Sequence, residues 1–238
     1  MNIAIIIAGG SGSRMGQNIP KQFINVYDKP VIIYTLESFE KHPQIDAIEV
    51  VCIDGWHDVL LAYAKQFNIS KLKWIVSGGK TGQESIRNGV YNLEKKCNEN
   101  DNIIIHDGVR PLVDAEVLTD VISKCNTYGN AVSSMPYNEQ IFIVDDEIST
   151  TKYIPRETLR RVVTPQAYKF KELLKCQGLL KLQGLLEFIS LQLAPTNNLS
   201  LKFKQISRKA LKFAIPTCFV ISTYLFLLTY FFVIPTCL

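Results

Sequence analysis

"IIIAGGSGSRMGQNIPKQF", residues 5–23, decides how the rest of the chain is read. An apolar, β-branched run, continuous from residue 2 to residue 7, breaks into four glycines between positions 9 and 16, and Arg14 and Lys21 follow. A short apolar run of this kind is a strand buried on both faces. The turn after it, Ala8-Gly9-Gly10-Ser11-Gly12-Ser13, lets main chain bend sharply and approach a ligand without Cβ collisions. Successive backbone N–H groups in such a turn form a nest for an anion. The stretch is not a P-loop, because no Gly-Lys-Ser/Thr follows. It is also a poor dinucleotide fingerprint, with the third glycine displaced by one and Arg14 inside it. An arginine fork and a lysine point charge converging on one turn suit a triphosphate. The alternative is that both are solvated surface charges.

Outward from that strand the pattern repeats. The runs at 48–53, 73–76 and 102–106 are again short and apolar, with helical stretches between them at about 31–41, 57–67, 83–96 and 114–127. Strand–helix alternation predicts a doubly wound α/β domain with a mostly parallel sheet. Ligands of such sheets bind beyond the carboxyl ends of the strands, so the loops directly after each strand carry the chemistry. After residue 130 the pattern changes to a strand, a polar hairpin turning at "DDE" (145–147), and a return segment. This predicts a projecting arm over about 136–160, either a dimer arm or a plain surface hairpin.

Two more strand-end loops stand out. "SGGKTGQESIRNGV" (77–90) offers Gly78 and Gly79 as bare backbone and Ser85 as the residue opening a helix whose N-terminus favours a polar or negative ligand. "IIIHDGVRPLV" (103–113) places Asp107 and Arg110 at the working edge of the sheet. Asp107 has the chemistry to hold a magnesium ion or a ligand hydroxyl. Equally, Asp107 and Arg110 would pair and brace the loop. His106, flanked by apolar residues, reads as structural.

Composition limits the function classes. Of 238 residues 47% are hydrophobic and 20% charged, as expected of a globular chain. From Cys176 onward there are six basic residues and one acid, Glu187, leaving residues 1–175 with 20 basic and 21 acidic side chains. A neutral body gives no electrostatic reason to expect nucleic-acid binding. Six cysteines scattered without a CxxC pair predict reduced thiols in a cytosolic protein, with neither a zinc site nor a disulfide framework.

Taken in order, "AGGSGSRMG", "PKQF", "GGKTGQESIRNG", "HDGVRP" and "TPQAY" (164–168) resemble the cytidylyltransferases that act on sugar-alcohol phosphates, over about residues 1–175. That family takes in the methylerythritol-phosphate and ribitol-phosphate enzymes. The resemblance implies a Rossmann-like nucleotidyltransferase fold, a homodimer with interlocked arms, a cytoplasmic location, and Mg2+-dependent transfer of CMP from CTP. It further implies that Ala8, Gly9, Gly10 and Gly12 line the CTP site, with Gly79 and Ser85 helping to read the base. Arg14 and Lys21 would hold the triphosphate. Asp107 and Arg110 would lie near the sugar alcohol and the metal. Gln140 stands where the methylerythritol enzymes carry an arm threonine. Arg156, eight residues before Thr164, would reach the substrate phosphate in the dimer partner. Val109 and Gln140 both lean towards a pentitol phosphate. Gly82 stands where an arginine is common, and neither the family's "TDD"-like element nor its final "NIKIT"-like strand follows. An exposed sheet edge and the loss of one cation are the expected consequences.

The tail from Cys176 reads as a different text. "QGLL" and "IPTC" each occur twice, and residues 213–238 carry no charge. That stretch reads either as a C-terminal membrane span behind a basic flank, or as the product of a reading frame shifted after about Lys175. The abrupt loss of acids and of α/β pattern favours the second. A CTP-binding remnant without activity and a membrane-tethered variant are therefore the alternatives to an active cytoplasmic enzyme.

Overall fold

The computed structural model describes residues 1–12, 16 and 19–177. The C-terminal tail, with the membrane-span and frame-shift readings attached to it, lies outside the described residues. A six-stranded sheet organises the rest. Its strands are β1 (Asn2–Ala8), β4 (Ala47–Cys52), β5 (Leu72–Ser77), β6 (Asn102–Asp107), β7 (Asn130–Pro136) and β10 (Arg160–Lys169), in the order β5-β4-β1-β6-β10-β7. The β5–β4, β4–β1 and β1–β6 ladders are parallel, and β10 runs antiparallel to both of its neighbours. Two short pairs stand apart from this sheet: β2 (Asn25–Val26) with β3 (Lys29–Pro30), and β8 (Ile141–Ile143) with β9 (Lys152–Ile154).

Alternation along β1 explains how the layers form. Ala4, Ile6 and Ala8 point to one face, where they meet helices α1 (Val31–Lys41), α2 (His57–Gln66) and α4 (Ala115–Tyr128) through Ile33, Leu36, Leu60, Leu118 and Val121. Ile3 and Ile5 point to the other face, against helix α3 (Gly82–Asn92) through Ile86 and Val90, and against Phe170 and Leu173 of the helical segment 170–177. Residues 3–6 of β1 are buried on both faces, so from Ile3 to Ala8 its sequence is apolar. Strand β5 differs from the expectation of full coverage. As an edge strand it leaves Lys73 and Ser77 exposed.

Local signals set the helix ends. Ile32, Ile33, Leu36 and Phe39 put one buried stripe on α1. Asp114 caps α4 by accepting from the Glu116 N–H, as its position after Pro111 predicts, and Gly129 closes that helix in the left-handed region. For α3 the cap is Thr81, whose hydroxyl accepts from the Glu84 N–H, so the helix begins at Gly82 and Ser85 lies within its first turn. The sequence reading had placed Ser85 at the opening.

The arm takes the expected form. Ile141 pairs with Ile154, Phe142 with Tyr153 and Ile143 with Lys152. The turn closes with Asp145 N–H donating to the Ser149 carbonyl, and the Asp146 carboxylate accepts from the N–H groups of Ile148 and Ser149. Cys52, Cys97 and Cys125 are free thiols that burial pushes up to about 11, 12 and 11 respectively, so they stay protonated.

Candidate active site

Three loops meet at the carboxyl edge of the parallel strands. The turn after β1 and the loop after β5 come into backbone contact. A Cβ added to Gly78 would stand 2.9 Å from the Gly9 Cα, and one added to Gly9 would stand 3.0 Å from the Gly78 Cα. Any other residue at either position would force these loops apart. Ser85 locks the junction from α3: its hydroxyl accepts from the Gly79 N–H at 3.0 Å and donates to the Thr81 carbonyl at 3.0 Å. Ala8, Gly9, Gly79 and Ser85, far apart in the chain, thus form one rigid corner.

Lys21 is held against this corner from the other side. It opens the 3-10 turn Lys21–Phe23, and its backbone N and Cβ lie 3.2 and 3.3 Å from where a Gly12 Cβ would be. Gly12 has φ +69°, so glycine is required there both for conformation and for space. The turn itself is anchored in the core, because Phe23 is buried and stacks on Trp56 with ring centroids 4.6 Å apart. Gly10 is exposed at the crest of the turn. Arg14 lies outside the described residues.

The third loop follows β6 and is braced at each residue. Gly108 N–H donates to the Ile7 carbonyl at 2.9 Å, and Thr35, fully buried on α1, donates its hydroxyl to the Gly108 carbonyl at 3.0 Å. His106 bonds the Arg110 carbonyl through Nε2 at 2.9 Å, and burial holds its pKa below the usual imidazole value. Its structural role is as the sequence indicated. Arg110 Nε reaches the Asp107 carboxylate at 2.6 Å, the bracing pair foreseen as one alternative, yet the two side chains remain 45% and 19% exposed. Exposure of that order leaves both within reach of a ligand.

Asp107 also lines a small cleft, open at its mouth, together with Ile7, Gly82, Ile86, Ile105, Thr164 and Gln166. Thr164 and Gln166 belong to "TPQAY", whose place at the site the sequence marked only through resemblance. Gln140 and Arg156 sit apart from this corner. Gln140 is exposed just before β8, while Arg156 begins the 3-10 turn Arg156–Thr158 and pairs with the adjacent Glu157 at 3.4 Å. The hydrogen bonds that join the three loops do not include either of them.

Besides Thr35, a second contributor escaped the sequence reading. Gln22 is buried (1% exposed), and its amide donates to the carbonyls of Ala8 at 2.7 Å and Gly10 at 3.0 Å. Its signal was present inside "PKQF", but a glutamine beside a lysine carries no charge or periodicity that singles it out.

A mostly parallel α/β sheet with bare glycine turns at its carboxyl edge, Lys21 packed on one of them and Arg110 on the next loop, is the arrangement of a nucleotidyltransferase. The chain belongs to the 2-C-methyl-D-erythritol 4-phosphate cytidylyltransferase family, whose profile it matches over residues 2–191. It is 60% identical over 173 residues to a ribitol-5-phosphate cytidylyltransferase of Lacticaseibacillus paracasei, covering 73% of this chain and 74% of that protein. It is 43% identical over 176 residues to a ribitol-5-phosphate cytidylyltransferase of Vibrio parahaemolyticus, covering 74% of each. Among solved structures, the 4-diphosphocytidyl-2C-methyl-D-erythritol synthase of Anaerococcus prevotii shares the fold with a TM-score of 0.64 at 24% identity, over 75% of this chain and 74% of that one.

Proposed function

We propose that this protein transfers CMP from CTP to ribitol 5-phosphate and releases pyrophosphate. The carrying observation is the rigid corner in which Gly9, Gly78, Gly79 and Ser85 bring bare main chain together beside Lys21. In this reading Ala8, Gly9, Gly10 and Gly12 cradle the nucleotide, and Gly79 and Ser85 contact the base. Arg14 and Lys21 neutralise the triphosphate. A phosphate oxygen of the polyol phosphate attacks the α-phosphorus in line, and the bond from that phosphorus to the bridging oxygen breaks as pyrophosphate departs. The attacking phosphate is already ionised at neutral pH, so no general base is needed. Catalysis is positioning plus fixed positive charge around a negative transition state.

The residues present suit Mg2+. Asp107 is a partly exposed carboxylate at the cleft, and magnesium is commonly held by one or two carboxylates with substrate phosphates supplying the rest. When bound it would offset charge on the triphosphate. Arg110 and Gln140 are assigned to the polyol phosphate, and Arg156 to the phosphate bound by a partner copy in a homodimer. The apolar arm supports that assembly, since Phe142, Ile148 and Tyr153 are 61%, 97% and 63% exposed. Ribitol rather than methylerythritol is supported by the relatives at 60% and 43% identity, whose names specify ribitol 5-phosphate, and by Val109 and Gln140. The same reading assigns the protein to the cytoplasm. Among the described residues no helix is long and apolar enough to cross a membrane.

Pyrophosphate release with CTP, Mg2+ and either polyol phosphate tests this reading. Turnover is expected with ribitol 5-phosphate and is expected to stop on chelation. A preference for methylerythritol phosphate would reassign the polyol. CTP binding without turnover on either substrate would replace the enzyme by a nucleotide-binding remnant.

A further inference from the structure

Gln22 is a buried amide whose two donor hydrogens both go to one glycine turn, to the Ala8 carbonyl at 2.7 Å and the Gly10 carbonyl at 3.0 Å. In a trans peptide the carbonyl and the following N–H point in opposite directions. Turning the carbonyls of residues 8 and 10 towards Gln22 therefore sends the N–H groups of Gly9 and Ser11 away from it. A turn free to rotate would present carbonyl oxygens, and these repel phosphate. The Ala8 carbonyl has a second donor in the Ile53 N–H at 3.2 Å. Among the described residues, Gln22 is the hydrogen-bond donor to the Gly10 carbonyl.

The same side chain belongs to the 3-10 turn that begins with Lys21 and ends in the buried Phe23. Because Phe23 stacks on Trp56, the scaffold behind Gln22 is fixed by the core. We propose that Gln22 is a positioning residue for the nucleotide: its amide ties the glycine turn to the segment carrying Lys21, so that main-chain donors and ammonium stand in one frame before the triphosphate arrives. This rests on the reading of the glycine turn as the CTP cradle. Preorganised donors require no reordering on binding, so loss of the tie weakens the nucleotide complex and leaves the polyol site alone.

The test is calorimetry with CTP and steady-state kinetics on the full chain, comparing wild type, Gln22→Met and Gln22→Asn. Methionine keeps the volume without donors. Asparagine keeps the amide one methylene short, and it is read in the same way should the methionine variant fail to fold. Loss of two hydrogen bonds that set the cradle is expected to raise the Kd and KM for CTP about tenfold, with the KM for the polyol phosphate within about twofold. Combined with Lys21→Ala, the loss is expected to be smaller than the product of the single losses, because both act through one frame. Unchanged CTP affinity in a folded Gln22 variant, or strictly multiplicative losses, would overturn the proposal while the cradle stands. Absence of CTP binding by wild type would overturn the cradle reading, and this proposal with it.

Discussion

The corner at the sheet edge and the arm handle their surfaces in opposite ways. At the corner, glycines 9 and 78 approach to contact distance, and hydroxyls from Ser85 and Thr35 occupy the backbone groups that the turns leave over. In the arm, a three-residue pair of strands carries Phe142, Ile143 and Tyr153 into solvent and the turn between them adds Ile148, and that turn is held by aspartate side chains instead of by a core. The first region is held by contacts within one chain. The second carries apolar surface that the described residues leave in solvent, as the proposed homodimer needs. Positioning at the corner is thus intrinsic to the fold, while a role for the arm rests on the proposed assembly.

Removing the charge at the corner should produce the largest effect. Lys21→Ala is expected to lower turnover by about 10²–10³-fold, the usual cost of one group that stabilises developing charge, with the melting temperature almost unmoved. Stopped assays at saturating CTP check it, and near-normal turnover would dissociate the corner from the reaction. On the other side of the comparison, Phe142→Asp is expected to weaken self-association about a hundredfold, since a desolvated aromatic anchor is replaced by a charge. Sedimentation of wild type and variant measures this, and an unchanged state of assembly would make the arm a surface hairpin.

Beneath the corner a buried acid provides a third probe. Glu49 is fully buried on β4, one oxygen accepting from Asn92 Nδ2 of α3 at 2.5 Å and the other without a hydrogen-bond partner. Burial raises its pKa to about 7, against smaller lowering effects from Asn92 and Lys96. The folded state therefore holds a proton that the unfolded state releases above about pH 4.3. Stability from this group is complete below that value and is lost as pH rises towards 7, by about 4 kcal/mol in all. Glu49→Gln should abolish the slope and leave the variant the more stable protein above pH 7. Urea titrations between pH 5 and pH 8 would show it, and parallel profiles would refute it. The smallest effect is expected from Thr81→Ala, which removes the α3 cap and should cost about 1 kcal/mol by the same titration.

Legibility differed between regions for physical reasons. The parallel strands announced themselves because burial on both faces leaves no choice but apolar, β-branched residues, and α1 spans 31–41 as its periodicity indicated. Edge strand β5 and the true start of α3 were less clear. Edge position depends on strand order, and the choice between Thr81 and Ser85 as cap depends on which hydroxyl meets an orphan N–H. At the site, glycines and charges stood out as residue types. Gln22 and Thr35 did not, because each matters only through a carbonyl that the fold brings to it from 12 or more residues away.

Taken alone, the sequence settled the α/β alternation, the turns that need bare backbone and the arm's hairpin, because each follows from local sterics or from a period of two or 3.6 residues; the family motifs were legible by resemblance. Only the tertiary structure decided that Gly9 meets Gly78, that Asp107 pairs with Arg110 while lining a cleft with Thr164, and that Gln22 orients the glycine turn. Most of these contacts join loops that the sheet order brings to one edge; Gly9 and Gly78 follow β1 and β5, which β4 separates in the sheet. Close packing and hydrogen-bond satisfaction select them, and neither leaves a periodic trace in the order of residues.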